Sequence, residues 1–498
     1  MRKKSFGEMS IHQSKLYHPK KGILILFSQH IFNIVVYLAL FSLFYYIYSV
    51  KYEIPLPRTI RVAAVDIERV FPKLSPWGPG FERELVDDFV KFAGTGLNIK
   101  GYPTHELAFE ALTKGRADIM LATGYNPDLS STSTPLLTGP VYEKKPASML
   151  HHIRRFELRT PFELCDQKIF APAHSGLVKT FNNLSEQLSC KPTMISGSNS
   201  KHLAPLLDYN EDKTIRFHLV ESGAFKPIRP FLHKLRITDH FGDDLEYRWY
   251  MRKDVHGLGQ KAEDYWHLVT TNGTIEDLQE KYFGFIPEDT DFYDLYSLRK
   301  NIREKMPRYR RYILKAAQKY DIDPLLLTAV MYQESHFDPL ARSKTGVRGL
   351  MQLTNDTAQL LGLTSRLDPR QAINGGARYL RFLWEKLESR DVDGWDRWLF
   401  TLAAYNQGLG HVYDAIDIAK YTSRHPGTWR SLKQVFPLLT RTKYHSKTKH
   451  GYTRGYEAVD YVDSIRYYYY IMNGLAILPG LESDYLAPLA AATGDASR

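Results

Sequence analysis

At 498 residues the chain is too long for one hydrophobic core, and 43% apolar with 24% charged residues excludes long disordered tracts as its dominant state. The net charge of +11 favours an anionic setting, but the basic residues are spread out, with no Arg-rich helix, zinc-finger spacing or ribonucleoprotein-type motif, so nucleic acid is not the expected partner. Cys165 and Cys190 are too few for a zinc site or a disulfide-rich scaffold, and they form either one disulfide or two buried thiols.

The chain opens with a basic segment over 1–30, where Arg2, Lys3, Lys4, Lys15, Lys20 and Lys21 face a single acid, Glu8. "IFNIVVYLALFSLFYYIYSV" follows at 31–50, uncharged and long enough to cross a bilayer as a helix of about 20 residues. The positive-inside bias places 1–30 in the cytoplasm and everything after Lys51 across the membrane. The exit "YSVKYEIPLP" lacks an A-x-A-like cleavage site, which favours an uncleaved inner-membrane anchor over a signal peptide.

Residues 58–290 read as alternating strands and helices, an α/β architecture. "TIRVAAV" is β-rich, "GFERELVDDFVKFAG" has helical periodicity ended by Gly94, and "THELAFEALTKGRADIMLATG" gives a helix capped by Thr104, a stop at Gly115 and the strand "ADIMLAT". This order of elements resembles the type 3 extracellular solute-binding domains of amino-acid transport systems. The resemblance implies two periplasmic-binding-protein-like lobes closing on an amino-acid-like or peptide ligand. Asp118 is the candidate contact for a ligand ammonium, although an Asp at the start of a strand more often orients a turn.

From about Tyr293 the pattern is helical, and 300–480 reads as a second, all-α domain, with a tail at 485–498 that has no obvious fold. Asp323-Pro324 opens the helix "DPLLLTAVMYQES". Met331, Val330 and Leu327 stand three, four and seven positions before Glu334 and share its face. Desolvation by that stripe and the negative end of the helix dipole both raise the Glu334 pKa toward what general-acid cleavage of a glycosidic bond needs. A solvated surface glutamate is the plainer reading of the spacing alone.

"QESHFDPLARSKTGVRGLMQLT", "TLAAYNQG" and "YEAVDYV" together resemble the family 1 lytic transglycosylases over about 305–475. That resemblance implies a goose-lysozyme-like α fold, no metal or cofactor, and murein glycan strands as substrate. It makes Glu334 the only catalytic carboxyl: acid to the bond between N-acetylmuramic acid and N-acetylglucosamine, then base to the muramic C6 hydroxyl that closes a 1,6-anhydro ring. Ser335 completes the Glu-Ser pair; Ser343, Met351 and Gln352 match residues lining sugar subsites. Tyr405 and Asn406 match the element beside the scissile bond, and Glu457 and Tyr461 match the closing motif. Ala458 and Val347 depart from the usual Thr and Ala, which bears on subsite preference and not on the acid.

The residues agree with a one-acid mechanism, since Asp338 in "HFDP" is better explained as a turn residue. His336 suits loop packing more than proton transfer, Tyr467 to Tyr470 suit helix packing, and "TRTKYHSKTKHGYTR" has the composition of a flexible loop that could track the acidic peptide stems of the wall. The whole reads as a membrane-attached murein lytic transglycosylase whose first domain binds a muropeptide or amino-acid-like ligand. Its working domains face the periplasm, and family resemblance implies the outer membrane's periplasmic face. A lysozyme-type hydrolase and a non-catalytic wall sensor are the alternatives.

Overall fold

The computed structural model describes residues 34–43, 56–65, 74–152, 160–172, 176–188, 190–197, 217–232, 235–238, 241, 244–288, 290–343, 346–390, 392, 394–478 and 482–493. Of the N-terminal segments, 1–30 and most of 31–50 lie outside this set; residues 34–43 are helical with exposed apolar side chains. Among the described residues no helix is long and apolar enough to cross a membrane.

The α/β part begins with β1 (Thr59–Val65), α1 (Phe81–Ala93), β2 (Gly96–Tyr102), α2 (His105–Thr113) and β3 (Ile119–Thr123). In α1 the residues Phe81, Leu85, Val86, Phe89 and Val90 form one buried stripe, and Gly94 ends the helix at φ 69°, where a side chain would be strained. Thr104 caps α2 by accepting a hydrogen bond from the Leu107 amide. β4 (Leu136–Thr138) and β5 (Glu143–Lys145) lead across to a second lobe of β6 (Ala147–His152), β7 (Lys168–Pro172), α3 (Gly176–Gln187), β8 (Thr193–Gly197), β9 (Phe217–Glu221) and β10 (Leu235–Thr238). The chain returns as β11 (Leu245–Arg252), followed by α4 (Leu258–Thr271) and α5 (Thr274–Phe283).

The first sheet runs β2-β1-β3-β11-β4, with β5 also on β11; the second runs β10-β6-β9-β7-β8. β1 is parallel to β2 and β3 and antiparallel strand β11 closes against β3, so lobe one is completed only after lobe two has been made. Two lobes joined by two crossings are the α/β arrangement expected for 58–290.

The helical part follows without a break as α6 (Phe292–Glu304), α7 (Arg310–Tyr320), α8 (Pro324–Ser335), α9 (Pro369–Leu387), α10 (Gly394–Gln407), α11 (Leu409–Tyr421), α12 (Trp429–Val435) and α13 (Gly455–Ile477). Asp323 caps α8 as expected, its Oδ1 accepting from the amides of Leu325 and Leu326 at 2.7 and 3.1 Å. α13 is apolar on nearly every side because it packs against α8, α10 and the α/β part at once.

The tyrosine run is spent on that packing. Tyr469 donates to Asp323 at 2.7 Å, Tyr468 to Asp294 at 3.0 Å and Tyr470 to the Pro227 carbonyl of lobe two at 2.6 Å. Fully buried Arg466 joins α13 to α5 through the Glu280 carboxylate and carbonyl, both at 2.6 Å. Trp77 packs edge-on against Trp395 and Tyr469, with ring centroids 4.9 and 5.1 Å apart.

The expectation of an unfolded tail is corrected in part. Residues Ser483–Ala490 form a helix that buries Leu486 and Leu489 completely, three positions apart on one face. Glu482 anchors it by accepting from Arg299 and Arg303 of α6.

Cys165 and Cys190 are joined as a disulfide, with Cα atoms 5.3 Å apart across 25 residues of lobe two. Closing a loop of that size stabilises by about 3 kcal/mol. Denaturant unfolding is therefore expected to shift to lower denaturant when reductant is added to the wild type. A Cys165→Ser/Cys190→Ser chain should already sit at that lower midpoint and ignore reductant; equal midpoints for all samples would show that the bridge carries no stability.

Candidate active site

α8 is a core helix: among its twelve residues only Gln333 and Glu334 escape full burial. The helix stops at His336, whose left-handed backbone (φ 48°) is followed by a second left-handed residue, Phe337 (φ 61°). Two consecutive non-glycine residues in that region are costly and persist here because Phe337 is fully buried and the His336 ring stacks on Tyr332 at 4.6 Å. His336 is thus a packing residue, and Asp338 builds the turn by accepting from the Leu340 amide at 2.9 Å.

Glu334 is half-buried. Protein surrounds it closely enough that desolvation is the largest influence on its carboxyl, raising the pKa to about 7. Tyr461 of α13 donates its hydroxyl to Glu334 Oε1 at 2.5 Å and pulls the pKa back by stabilising the carboxylate. No charged group among the described residues contributes to the shift.

Tyr405 of α10 completes the cluster. Burial and the Glu334 charge hold its phenol, like that of Tyr461, well above the ordinary tyrosine range, and both rings stay neutral. Its hydroxyl donates to the Met351 carbonyl at 2.8 Å, and its ring packs on Tyr379 with centroids 5.5 Å apart. Tyr379 was not legible as a site residue, because one aromatic on an amphipathic helix carries no signal of its own.

The loop after α8 is a compact scaffold. Arg348 bridges to both Arg342 and Leu353, and Gly349, at φ 84°, lies where a Cβ would meet the Arg366 carbonyl at 2.4 Å. Gln352, itself left-handed at φ 44°, donates from Nε2 to the carbonyls of Ala341 and Gly349 at 3.1 and 2.9 Å. Ser343 turns the loop, its hydroxyl accepting from the Val347 amide at 3.2 Å.

Met351, expected to line a sugar subsite, and Ser335, expected to complete the Glu-Ser pair, both stand beneath the surface. Met351 is 1% exposed and packs where a side chain on Gly376 would collide with it, and the Ser335 hydroxyl points inward to the Leu350 carbonyl at 2.9 Å. Both are held there by packing, because Met351 fills the contact with α9 and Ser335 fastens the loop to α8. Asn406 is exposed at the end of α10, accepting from Gln407 at 2.6 Å, and Glu457 is exposed in an ion pair with Arg454 one turn before Tyr461.

Asp118 is not drawn into a ligand cleft. It stands at the N-terminal end of β3, the end opposite to where open α/β sheets bind ligands, and its buried carboxylate is filled by Arg61: the backbone amide at 2.9 Å, Nε at 3.1 Å and Nη2 at 2.5 Å. The pair fastens β1 to β3, a role between strands where the local sequence suggested a turn. Among the described residues no group of three or more His, Cys, Asp or Glu side chains could hold a metal ion.

Residues 311–425 match the transglycosylase SLT domain family. Over 415 residues the chain is 34% identical to membrane-bound lytic murein transglycosylase F of Shewanella sp. strain MR-4, covering 82% of this chain and 84% of that protein. The protein of the same name from Shewanella oneidensis is 33% identical over 421 residues, with the same coverage of each chain. Among solved structures, an ancestral arginine-binding protein bound to glutamine aligns with 46% of this chain and 99% of its own at 16% identity and a TM-score of 0.39. The GluR0 ligand-binding core in complex with L-glutamate aligns with 45% and 98% at 12% identity and a TM-score of 0.38.

A carboxyl whose pKa rises from 4.5 to about 7 on folding makes stability pH-dependent. Below about 4.5 it is protonated in both states. As pH rises through about 7 the folded chain comes to carry a desolvated charge that costs at most about 3 kcal/mol, less whatever solvent access returns. Glu334→Gln should thus leave unfolding at pH 4 nearly unchanged and stabilise the chain by about 1–3 kcal/mol at pH 8. Equal effects at both pH values in paired denaturant curves would mean that Glu334 titrates normally.

Proposed function

Because the chain belongs to the family of membrane-bound lytic murein transglycosylase F and is a peptidoglycan lytic transglycosylase, we propose that Glu334 alone supplies its acid and base chemistry, releasing 1,6-anhydromuramic ends. The observation that carries this reading is the placement of Glu334 at the last turn of a core helix, where burial raises its carboxyl to about 7, Tyr461 donates to it at 2.5 Å, and no charged group among the described residues contributes to the shift. Glycosidases that use water or a protein nucleophile employ a second acid at a set distance. With one acid acting in both steps, the muramic C6 hydroxyl supplies the attacking oxygen in this proposal.

In the first half-reaction protonated Glu334 gives its proton to the glycosidic oxygen, the bond from muramic C1 to that oxygen breaks, and the N-acetylglucosamine side leaves as an alcohol. In the second the new carboxylate takes the proton of the muramic C6 hydroxyl while that oxygen bonds to C1 and closes the anhydro ring. Glu334 ends as it began. A pKa near neutrality serves both halves, and the Tyr461 hydroxyl stabilises the carboxylate that exists between them. Tyr405, Asn406 and Glu457 border the sugars, while Ser335, Ser343, Met351 and Gln352 hold the floor on which they rest.

The two-lobed part is a binding domain for a muropeptide or an amino-acid-like wall fragment, and it adjusts the catalytic part. α5 supports that coupling: Glu280 holds Arg466 and Lys433, and Asp277 holds Arg430, so the lobe adjoins the helix that carries Tyr461. A ligand acts through this junction only by favouring one arrangement of it over another. The chain is anchored by its N-terminal segment and faces the periplasm, an oxidising space that suits the Cys165–Cys190 disulfide.

Mass spectrometry of murein sacculi digested by the full-length chain in detergent tests the mechanism. Anhydromuropeptides are expected, with an alkaline limb falling through about pH 7 as the acid deprotonates, and a loss of about 10³-fold or more in Glu334→Gln. Reducing-end products would make the enzyme a hydrolase, and undiminished digestion by the Gln chain would remove Glu334 from the mechanism.

A further inference from the structure

The segment from Arg441 to Arg454 holds Arg441, Lys443, Lys447, Lys449 and Arg454, two histidines and no acid. Such a run suggests a floppy solvated loop, and the structure shows a braced one. Buried Asp414 of α11 accepts from the Lys449 amide at 3.2 Å, the His450 amide at 3.0 Å and His450 Nδ1 at 3.0 Å. His445 Nδ1 meets the Leu439 carbonyl at 3.2 Å, and Thr448 donates to the His445 carbonyl at 2.8 Å. The His450 ring lies so close to Gly410 that a Cβ there would come within 2.6 Å of it.

This frame stands beside the candidate site. The Thr453 hydroxyl donates to Gln407 at 2.6 Å, and Gln407 in turn bonds Asn406, next to Tyr405. At its other end the loop runs directly into α13, where Tyr461 lies six residues, about 9 Å of helix rise, beyond Gly455. Arg454 is paired with Glu457, but among the described residues no carboxylate pairs with Arg441, Lys443, Lys447 or Lys449. Lys447 lies over the exposed Tyr421 ring at 5.1 Å, and Tyr452 and Tyr456 are 58% and 56% exposed.

Unpaired cations held on a rigid frame, with open aromatic rings among them, form a site for carboxylates that loses little entropy on binding. We propose that 441–454 is a subsite for the acidic peptide carried on the murein glycan, gripping its carboxylates while the sugar lies over Glu334. The proposal rests on the murein reading above and extends it: the loop makes the enzyme prefer glycan that still bears peptides. A strand stripped of its peptides keeps only the short lactyl carboxylate beside each muramic ring, and lacks the further carboxylates that a peptide carries out to these cations.

The test measures binding of peptide-bearing glycan strands, and of the same strands stripped of peptide by an amidase, to the full-length Glu334→Gln chain. The parent is expected to bind peptide-bearing strands at least about fivefold more tightly, a preference that vanishes in about 1 M salt. Lys443→Glu/Lys447→Glu/Lys449→Glu should abolish the preference, and the gentler triple change to Gln should reduce it, both chains still binding stripped strands. Equal affinity for the two strands in the parent, or an unaltered preference in both lysine variants, overturns the proposal. Failure of the Glu334 reading shows separately, as strands shortened by the Gln chain in the same samples.

Discussion

Everything at the site depends on keeping one carboxyl short of water without closing it off. α8 achieves this by being a core helix up to its last turn, and α13 completes it by laying Tyr461 against the carboxyl. The two helices are tied at both ends of α8, by Tyr469 on the Asp323 cap and by Tyr461 on Glu334. A shift of α13 would change the hydrogen bond on the acid, and with it the charge state of Glu334 near neutral pH.

The α/β part bears on the position of α13 for the same reason. α13 is pinned by Arg466 to α5, by Tyr470 to lobe two, and by Asn473 to the Leu74 carbonyl at 2.8 Å. Removing a partner from Arg466, which is fully buried, would strand a charge in the junction. The helix pair that holds Glu334 and Tyr461 is therefore braced from outside the helical part.

Around the acid, residues divide into those that keep some exposure and those packed or bonded into the loop that supports it. Glu334, Tyr405 and Asn406 belong to the first group. Ser335, Met351, Gln352 and Gly349 belong to the second, and the glycine is needed because the Arg366 carbonyl occupies the space of a side chain. Local signals were legible in the sequence: the Asp323-Pro324 cap and the Gly94 stop act within a few residues. Contacts between distant residues were not. Tyr461 meets Glu334 across 127 residues and Arg61 fills Asp118 across 57, so neither partner could be read from spacing. The same limit left the cysteine pairing open, while the inward turn of Ser335 depends on a carbonyl fifteen residues on. The basic loop misled for a related reason, since its composition is that of a solvated segment and its brace, Asp414, lies on another helix.

The central claim, a lone glutamic acid poised between its two protonation states, is tested most directly by titrating that carboxyl. Carbon-13 spectra of glutamate-labelled protein, with the Glu334→Gln chain subtracted, isolate its signal. A midpoint near about 7 that moves higher in Tyr461→Phe would bear the account out. A midpoint at the ordinary 4.5, indifferent to Tyr461, would contradict it.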